Sequence, residues 1–173
     1  MSYIIDTSTL ISLARINLLE IIRKLKLDLV LPDEVYNEAV IRGEEKGFTD
    51  ATVIKSFIKK HKIKVLRVKS GHVTLLRKRI NKVLTKGDEA VISIAISEKA
   101  KTIVTNDDGL GKIALALGFS VKASPDLLLR GLKENLMNFT EFEIYTRSLV
   151  VENRLSSVVA ELYLLEGRRY VKD

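Results

Sequence analysis

The sequence predicts an α/β fold built on a parallel sheet. Short β-branched and aliphatic runs alternate with segments in which apolar residues recur near the helical period, and this alternation is typical of parallel strands joined by helices. The length of 173 residues and an apolar content of 46% suit one globular domain with a sizeable core.

The strands are predicted by short runs rich in Ile, Val and Leu. In chain order they cover residues 3–5, 29–31, 63–68, 102–105 and 119–121. Such residues suit strands that are buried on both faces of a sheet. Because helical segments separate the runs, we expect neighbouring strands to be parallel.

Helices are predicted where apolar residues recur near period 3.6. The first covers 8–26 with a break near Ile16 and Asn17, and the others cover 32–46, 50–61, 72–84, 88–99 and 108–117. Pro32 suits a first helical position, and Gly118 suits the residue that follows a helix end. These helices account for the segments between the predicted strands.

The strand pattern stops after Pro125, and further helices are predicted over 124–133, 139–151 and 154–166. The last of them carries an apolar stripe formed by Leu155, Val158, Val159, Leu162 and Leu165. We expect this stripe to pack on the domain, with an oligomer contact as the alternative.

Composition excludes several classes of protein. The chain has no cysteine, so disulfides, thiolate zinc sites and a cysteine nucleophile are excluded. The first residues contain neither a cationic leader nor a long apolar run. We therefore expect no signal peptide and a cytoplasmic location.

The positive charge of the chain is concentrated in one segment. Residues 51–87 hold twelve lysines and arginines and no acidic residue, whereas acids outnumber bases on both sides. The net charge of +7 is therefore local, and a local positive field attracts nucleic acid or an anionic membrane. The segment lacks the Trp- and Phe-rich face of a membrane-surface helix, so nucleic acid is the favoured partner and no membrane is expected. The alternative is an ordinary solvated helix face.

Acidic residues flank the carboxyl ends of the predicted strands or open the neighbouring helices. In a parallel α/β sheet, ligands gather in the crevice beyond the carboxyl ends of the strands. Acids from four distant parts of the chain are therefore expected to converge on one pocket. They are Asp6, Glu38, Asp88 with its neighbour Glu89, and Asp107 with its neighbour Asp108.

Such convergence predicts a divalent cation. Two unit charges about 4 Å apart repel by roughly 4 kcal/mol at an effective dielectric constant near 20. Mg²⁺ or Mn²⁺ removes this penalty, takes oxygen ligands from one or two carboxylates and leaves room for water and a substrate phosphate. The two histidines, His61 and His72, lie in the basic segment, so an imidazole-rich site is not expected. The pattern favours a metal-dependent phosphodiesterase.

Each acid also has a structural interpretation. Asp6 suits an Asx turn, and Asp88 suits the N-cap of the apolar helix that follows it. Either Asn106 or Asp107 could cap the next helix in the same way, and Glu38 alone is an ordinary helix glutamate. The joint pattern, together with the basic segment, favours the phosphodiesterase.

Four stretches, in this order, resemble the PIN-domain ribonucleases. They are YIIDTSTLI at 3–11, LPDEVYNE at 31–38, GDEAVISIA at 87–95, and IVTND at 103–107 followed by LGF at 117–119. The family includes the toxin nucleases of VapBC-type toxin–antitoxin pairs. The resemblance covers roughly residues 1–128, which would form the nuclease domain, and leaves 129–173 as a helical extension packed on the same domain.

The resemblance implies a three-layer α/β/α sandwich with a central parallel sheet, followed by C-terminal helices. It also implies an endoribonuclease that depends on Mg²⁺ or Mn²⁺. By position, Asp6 would be the central metal ligand, and Glu38 and Asp107 would complete the acidic pocket. Ser8 and Thr105 would supply hydroxyls that orient a carboxylate or a water.

The third acidic position, implied by the resemblance to be a metal ligand, is ambiguous. Asp88 is favoured by its spacing to Ile92, and Glu89 is the alternative. Asp108 is expected to contact the metal ligands and not the metal ion itself.

The RNA backbone is expected to bind the basic segment through Lys59, Lys60, Arg77, Lys78, Arg79 and Lys82. Two other classes stay open. One is a catalytically inactive PIN-fold module that binds RNA or assembles with a partner. The other is a phosphotransfer enzyme with an aspartyl nucleophile, which generally has a second Asp where Ser8 stands here. A small antitoxin partner and a homodimer are also open.

Overall fold

The computed structural model describes residues 2–78, 80 and 83–171. All predicted strands are present, and the predicted α/β class is confirmed. In chain order the elements are β1 (Ser2–Ile5), α1 (Thr7–Arg15), α2 (Leu19–Lys24), β2 (Asp28–Pro32), α3 (Asp33–Tyr36), a π-helical turn (Asn37–Ile41), α4 (Arg42–Glu45), α5 (Thr49–His61), β3 (Lys64–Leu66), α6 (Ser70–Arg77), α7 (Lys86–Ser97), β4 (Thr102–Val104), α8 (Asp108–Ala116), β5 (Ser120–Lys122), α9 (Ser124–Lys133), α10 (Phe139–Val151) and α11 (Ser157–Arg168).

The strands form a parallel sheet in the order β3-β2-β1-β4-β5. The central strand β1 pairs with β2 and with β4, with Ile5 opposite Val104. Ile4 and Ile5 are fully buried, as expected of an aliphatic strand covered on both faces. The edge strand β3 is more exposed and begins with Lys64, a charge that discourages pairing with another sheet.

Helices cover both faces of the sheet. Because crossovers between parallel strands are right-handed, the connections from β1 to β3 lie on one face and those from β3 to β5 on the other. Consistent with this, α1 packs against α5, while α7 contacts β1, β2 and β4. The molecule is therefore the expected three-layer α/β/α sandwich. The strand order reverses between β1 and β4, where such sheets form a ligand-binding crevice.

Several helix boundaries differ from the prediction. The predicted helix 32–46 contains a π-helical turn, and the predicted helix 72–84 ends at Arg77. The helix predicted from residue 88 begins at Lys86, because the Thr85 hydroxyl accepts a hydrogen bond from the Asp88 amide and caps the helix. The last helix begins at Ser157, after Ser156 caps it.

The C-terminal helices α9, α10 and α11 pack against one another, and α9 also contacts α2. Phe142 of α10 is fully buried where α11 passes over it at Gly167. A Cβ built on Gly167 would lie 2.5 Å from Cε1 of Phe142, so a larger residue would push the two helices apart.

The prediction that the apolar stripe packs on the domain was wrong for most of its members. Val158, Leu162 and Leu165 are 72%, 60% and 58% exposed, and Val159 is 39% exposed. The helix instead buries Ala160, Leu164 and Gly167, and Gly167 lies against Phe142. No helix in the described ranges is long and apolar enough to cross a membrane.

Candidate active site

Asp6 is a buried carboxylate at the carboxyl end of the central strand. It caps α1, where its Oδ1 accepts a hydrogen bond of 3.0 Å from the Thr9 amide and its Oδ2 accepts one of 2.8 Å from the Ser8 hydroxyl. The residue is only 7% exposed. Burial raises the pKa of Asp6, and hydrogen bonds from Thr9, Ser8 and Thr105 oppose that rise. The charged form would gain from a cation close to it.

Thr105 links Asp6 to the end of the neighbouring strand. It is 3% exposed, and its hydroxyl is close enough to Asp6 to lower the pKa of that carboxyl. Its Oγ1 also accepts a hydrogen bond of 3.0 Å from the Asp107 amide. Asp107 in turn caps α8, with Oδ1 accepting a bond of 2.7 Å from the Leu110 amide. The structure thus places Asp6 and Asp107 on either side of Thr105, at the point where the strand order reverses.

Glu38 reaches the same edge of the sheet from the π-helical turn. Its Oε2 accepts a hydrogen bond of 2.7 Å from the Thr7 hydroxyl, next to Asp6. Its Oε1 lies 3.6 Å from Nη1 of Arg42. Single π-helical turns occur often at functional sites, because the extra residue changes the direction of a side chain.

The first turn of α7 approaches Glu38 from the other side. A Cβ built on Gly87 would lie 3.5 Å from Oε2 of Glu38, so the residue before Asp88 is adjacent to that carboxylate. Glu89 is directed toward α6, where its Oε2 accepts hydrogen bonds of 3.3 and 3.1 Å from Arg77. Gly87, the residue before Asp88, is thus the part of α7 that lies next to Glu38.

The structure does not bring all the predicted residues together. Asp108 lies in the first turn of α8, beside Asp107. Lys59 and Lys60 lie near the end of α5, which leads into the start of β3. They therefore lie near the amino ends of the strands, opposite the acids at the carboxyl ends. Lys60 also forms an ion pair of 2.9 Å with Glu20.

The remaining basic candidates are closer to the acids. Arg77 and Lys78 lie beside α7 through the bonds of Arg77 to Glu89. The predicted contacts Arg79 and Lys82 fall outside the described residues.

Several residues at this edge had not been predicted. The Thr7 hydroxyl holds Glu38, and the Thr9 hydroxyl accepts a hydrogen bond of 2.8 Å from the Asn106 amide. The Asn106 side chain exchanges hydrogen bonds of 2.9 and 2.8 Å with Ser124. The three consecutive hydroxyl residues after Asp6 were the sequence signal that could have predicted these contacts. A run of Thr and Ser directly after a strand suits hydrogen bonds to nearby loops.

The donor chemistry of this edge suits a hard cation. Oxygen ligands from one or two carboxylates are enough for Mg²⁺ when water and phosphate complete its shell. Asp6 is buried, and its pKa is raised by that burial, so a bound cation would stabilise its charge. In the part of the chain that the structure describes, no group of three or more Asp, Glu or His side chains stands ready to hold a metal ion. Any site here would therefore depend on few protein ligands.

A parallel sheet with carboxylate and hydroxyl side chains at its switch point is typical of an α/β protein that binds its ligand beyond the carboxyl ends of the strands. A family model described as a PIN domain matches residues 2–149, and the chain therefore belongs to the PIN-domain family. The resemblance found in the sequence is thereby confirmed, and the match runs past residue 128 into α10. PIN domains are generally nucleases, so the chain has a nuclease-type fold. No curated protein matches the chain.

Proposed function

We propose that this protein is a metal-dependent endoribonuclease that hydrolyses RNA phosphodiester bonds. The observation that carries the proposal is the continuous set of contacts along one edge of the sheet. It runs from Asp107 through Thr105 to Asp6, and from Thr7 through Glu38 to Gly87 beside Asp88. Acids from separate parts of the chain are thus linked by contacts at the carboxyl ends of the strands.

In this proposal the carboxylates divide the work by position. Mg²⁺ or Mn²⁺ would take one or two ligands from among Asp6, Asp88 and Asp107, with water and phosphate completing its shell, and when bound would supply Lewis acidity and offset the negative charge of the phosphate. Glu38 would accept a proton from the attacking water, in an orientation fixed by the Thr7 hydroxyl.

The supporting residues keep Asp6 aligned. Ser8 and Thr105 donate hydroxyls toward the Asp6 carboxylate, which fixes its rotamer and keeps it a hydrogen-bond acceptor. Asp108, in the first turn of α8, would act beside Asp107 and not as a ligand. Glu89 would steady Arg77, and Asp88, which follows the Gly87 that lies beside Glu38, would be the third acid.

The RNA would approach along α6 and the start of α7. Arg77 and Lys78 are exposed there and would hold backbone phosphates, while the Glu89 partner keeps Arg77 near the crevice. Lys59 and Lys60 would contribute less, since they lie at the opposite edge of the sheet.

The first test is RNA cleavage by purified protein with Mn²⁺, compared with its Asp6→Asn variant. Asparagine keeps the shape and the capping oxygen but loses the charge, so we expect cleavage to be abolished. Glu45→Gln is a matched control, because it neutralises an exposed acid away from the crevice. Equal cleavage by the parent protein and Asp6→Asn would remove the proposal.

The alternative is a catalytically inactive PIN-fold module that binds RNA or assembles with a partner. One observation favours it: Glu38 and Glu89 are paired with Arg42 and Arg77. Calorimetric titration with Mn²⁺ separates the two functions. The nuclease should give a stoichiometric heat that disappears in Asp6→Asn, and the inactive module should give none.

The proposal extends to the cellular role in two steps. A cytoplasmic RNase of this family is a candidate toxin, silenced by a small antitoxin protein, and it could work as a homodimer. A gene for a short DNA-binding protein beside this one would support the first step. Sedimentation of the purified protein tests the second.

A further inference from the structure

A cleft of about 710 Å³ opens directly beside the proposed active site. Its inner end is formed by Thr105, Asn106 and Asp107, the residues that follow β4. One wall is α8, and the opposite wall is the connection from α10 to α11 together with the first turns of α11. The volume lies within the range of roughly 300–1,000 Å³ that is usual for ligand pockets.

The wall of the cleft formed by α11 is tied to α9 by a half-buried polar pair. The Tyr163 hydroxyl of α11 donates a hydrogen bond of 2.7 Å to Oδ1 of Asp126 on α9. The other oxygen of Asp126 accepts a bond of 2.8 Å from the Ala123 amide. Burial and the Asp126 carboxylate raise the pKa of Tyr163, so its hydroxyl stays protonated. Asp126 is therefore engaged by protein donors, which reduces its repulsion of an anionic ligand.

Two cations face the cleft from opposite walls. Lys112 stands on α8, and Arg154 lies in the connection between α10 and α11. Both are exposed, and neither forms an ion pair with another residue in the described ranges. Many other cations of the chain, such as Arg147, are held by acids. Two cations that can turn toward one opening suit a ligand with phosphate groups.

Apolar side chains line the space between these cations. Leu115 is 59% exposed and Val159 is 39% exposed, and both face the cleft along with the partly buried Leu155. Exposed aliphatic surface in a concave site suits a flat, apolar face such as a nucleobase. The cleft thus combines phosphate-binding and base-binding features next to the acids.

We infer that this cleft is an RNA subsite that holds a nucleotide next to the scissile phosphate, with Lys112 and Arg154 on its phosphates and Leu115 and Val159 against its base. The inference deepens the proposed function, on which it rests for the choice of RNA as ligand. A protein segment is a less suitable occupant, because the cleft ends at the acidic edge where the scissile phosphate would lie. The subsite would make the C-terminal helices part of substrate recognition.

The test measures binding of a short fluorescein-labelled single-stranded RNA by anisotropy, at several salt concentrations, in the uncleaving Asp6→Asn protein. The double variant Lys112→Gln/Arg154→Gln should reduce the slope of log Kd against log salt by about 1.4, since each phosphate contact to a single strand contributes about 0.7. The matched control is Lys101→Gln/Arg168→Gln, which removes two exposed cations away from the cleft. It should keep the slope within about a third of this change.

A second pair of variants tests the apolar surface. Leu115→Ala/Val159→Ala should raise Kd by about threefold to tenfold without changing the salt slope, since base contacts release no counterions. The control is Ile144→Ala/Val151→Ala, which truncates two exposed apolar residues of α10 outside the cleft. RNA addition should also shift the methyl NMR signals of Leu115 and Val159.

Failure of the subsite and failure of the nuclease give different results. If the parent protein cleaves RNA but both cleft variants bind it as their controls do, the subsite inference is overturned and the nuclease stands. If the parent cleaves nothing but the cleft variants lose affinity as expected, the subsite stands as a binding site. Unchanged methyl signals with saturating RNA, or no RNA binding by the parent, overturn the subsite in either case.

Discussion

Thr7 donates a hydrogen bond of 2.7 Å to Glu38, so the residue next to Asp6 fixes the acid of the π-helical turn. This bond joins the start of α1 to a segment far along the chain. It gives Glu38 one orientation at the edge of the sheet where Asp6 and Thr105 also lie.

Removal of this hydroxyl is the first prediction. Thr7→Val should lower RNA cleavage by about tenfold, as is usual when a group that orients a site residue is lost. Thr7→Ser keeps the hydroxyl and should retain most of the activity. Thermal unfolding of both variants should stay close to that of the parent, because valine matches threonine in shape. Full activity in Thr7→Val would mean that Glu38 needs no fixed orientation.

Asp6 is predicted to lower the free energy of unfolding of the metal-free protein. Burial raises the pKa of Asp6, which means that its charged form is less stable in the folded protein than in the unfolded chain. Asp6→Asn should therefore raise the free energy of unfolding of the metal-free protein by about 1 kcal/mol. Urea denaturation in the presence of EDTA measures this. Added Mn²⁺ should then stabilise the parent but not the variant, and a destabilised Asp6→Asn would contradict the interpretation.

The two neighbouring acids of α7 should differ in effect. Asp88→Asn is expected to reduce cleavage by about a hundredfold, the upper end for loss of a group that supports or holds a metal. Glu89→Gln breaks the exposed pair with Arg77 and should cost less than about 1 kcal/mol of stability, with a small effect on activity. Cleavage rates at saturating Mn²⁺ decide the assignment, and the reverse order would make Glu89 the third acid.

The contribution of the basic residues to RNA binding should depend on whether they lie near the carboxyl ends or the amino ends of the strands. Arg77→Gln/Lys78→Gln is expected to weaken RNA binding and to reduce the salt slope by about 1.4. Lys59→Gln/Lys60→Gln removes the same charge from the opposite edge and serves as the matched control. Anisotropy titrations at several salt concentrations compare the pairs. Equal loss in both would indicate attraction by net charge, without a defined path for the RNA.

A pH dependence of stability is predicted for Glu20. Hydrogen bonds from Lys60, His61 and Arg23 lower the pKa of Glu20 from 4.5 to about 2. Because the folded-state pKa is the lower one, these bonds stabilise the fold above pH 4.5, and the gain is lost as the pH falls toward 2.

Comparison of Glu20→Gln with the parent measures that gain. The difference in free energy of unfolding should be at most about 1 kcal/mol at neutral pH, since the carboxylate is partly exposed, and should shrink through this acidic window. Glu45→Gln, an exposed glutamate without an ion pair in the described part of the chain, should show no such window. A constant difference down to the lowest pH would contradict the assignment.

The sheet could be predicted because its strands are short aliphatic runs, such as that of Ile4 and Ile5, which are stable only when buried on both faces. The carboxyl-end position of Asp6 and Asp107 followed directly from that sheet. Burial patterns at the surface were harder to predict. The stripe from Val158 to Leu165 has helical period, but period alone does not say which face a neighbouring helix covers.

Local hydrogen bonds explain the other differences. Thr85 caps α7 in place of Asp88, because its hydroxyl accepts a hydrogen bond from the backbone amide of Asp88 and so starts the helix earlier. The π-helical turn around Glu38 has no simple sequence signal, because the inserted residue is accommodated by packing. The link from Thr9 to Asn106 joins residues far apart in sequence, and nothing local predicts it.

Gly167, near the end of α11, lies against Phe142 with no room for a side chain. The first turns of the same helix form one wall of the cleft. The missing side chain therefore sets how closely α11 packs on α10 near this position. An alanine at 167 would push α11 away from α10. Because α11 also carries residues of the cleft wall, we expect this change to alter the width of the cleft without touching any residue that lines it. The width of the cleft is thus expected to depend on Gly167, a residue that does not line it.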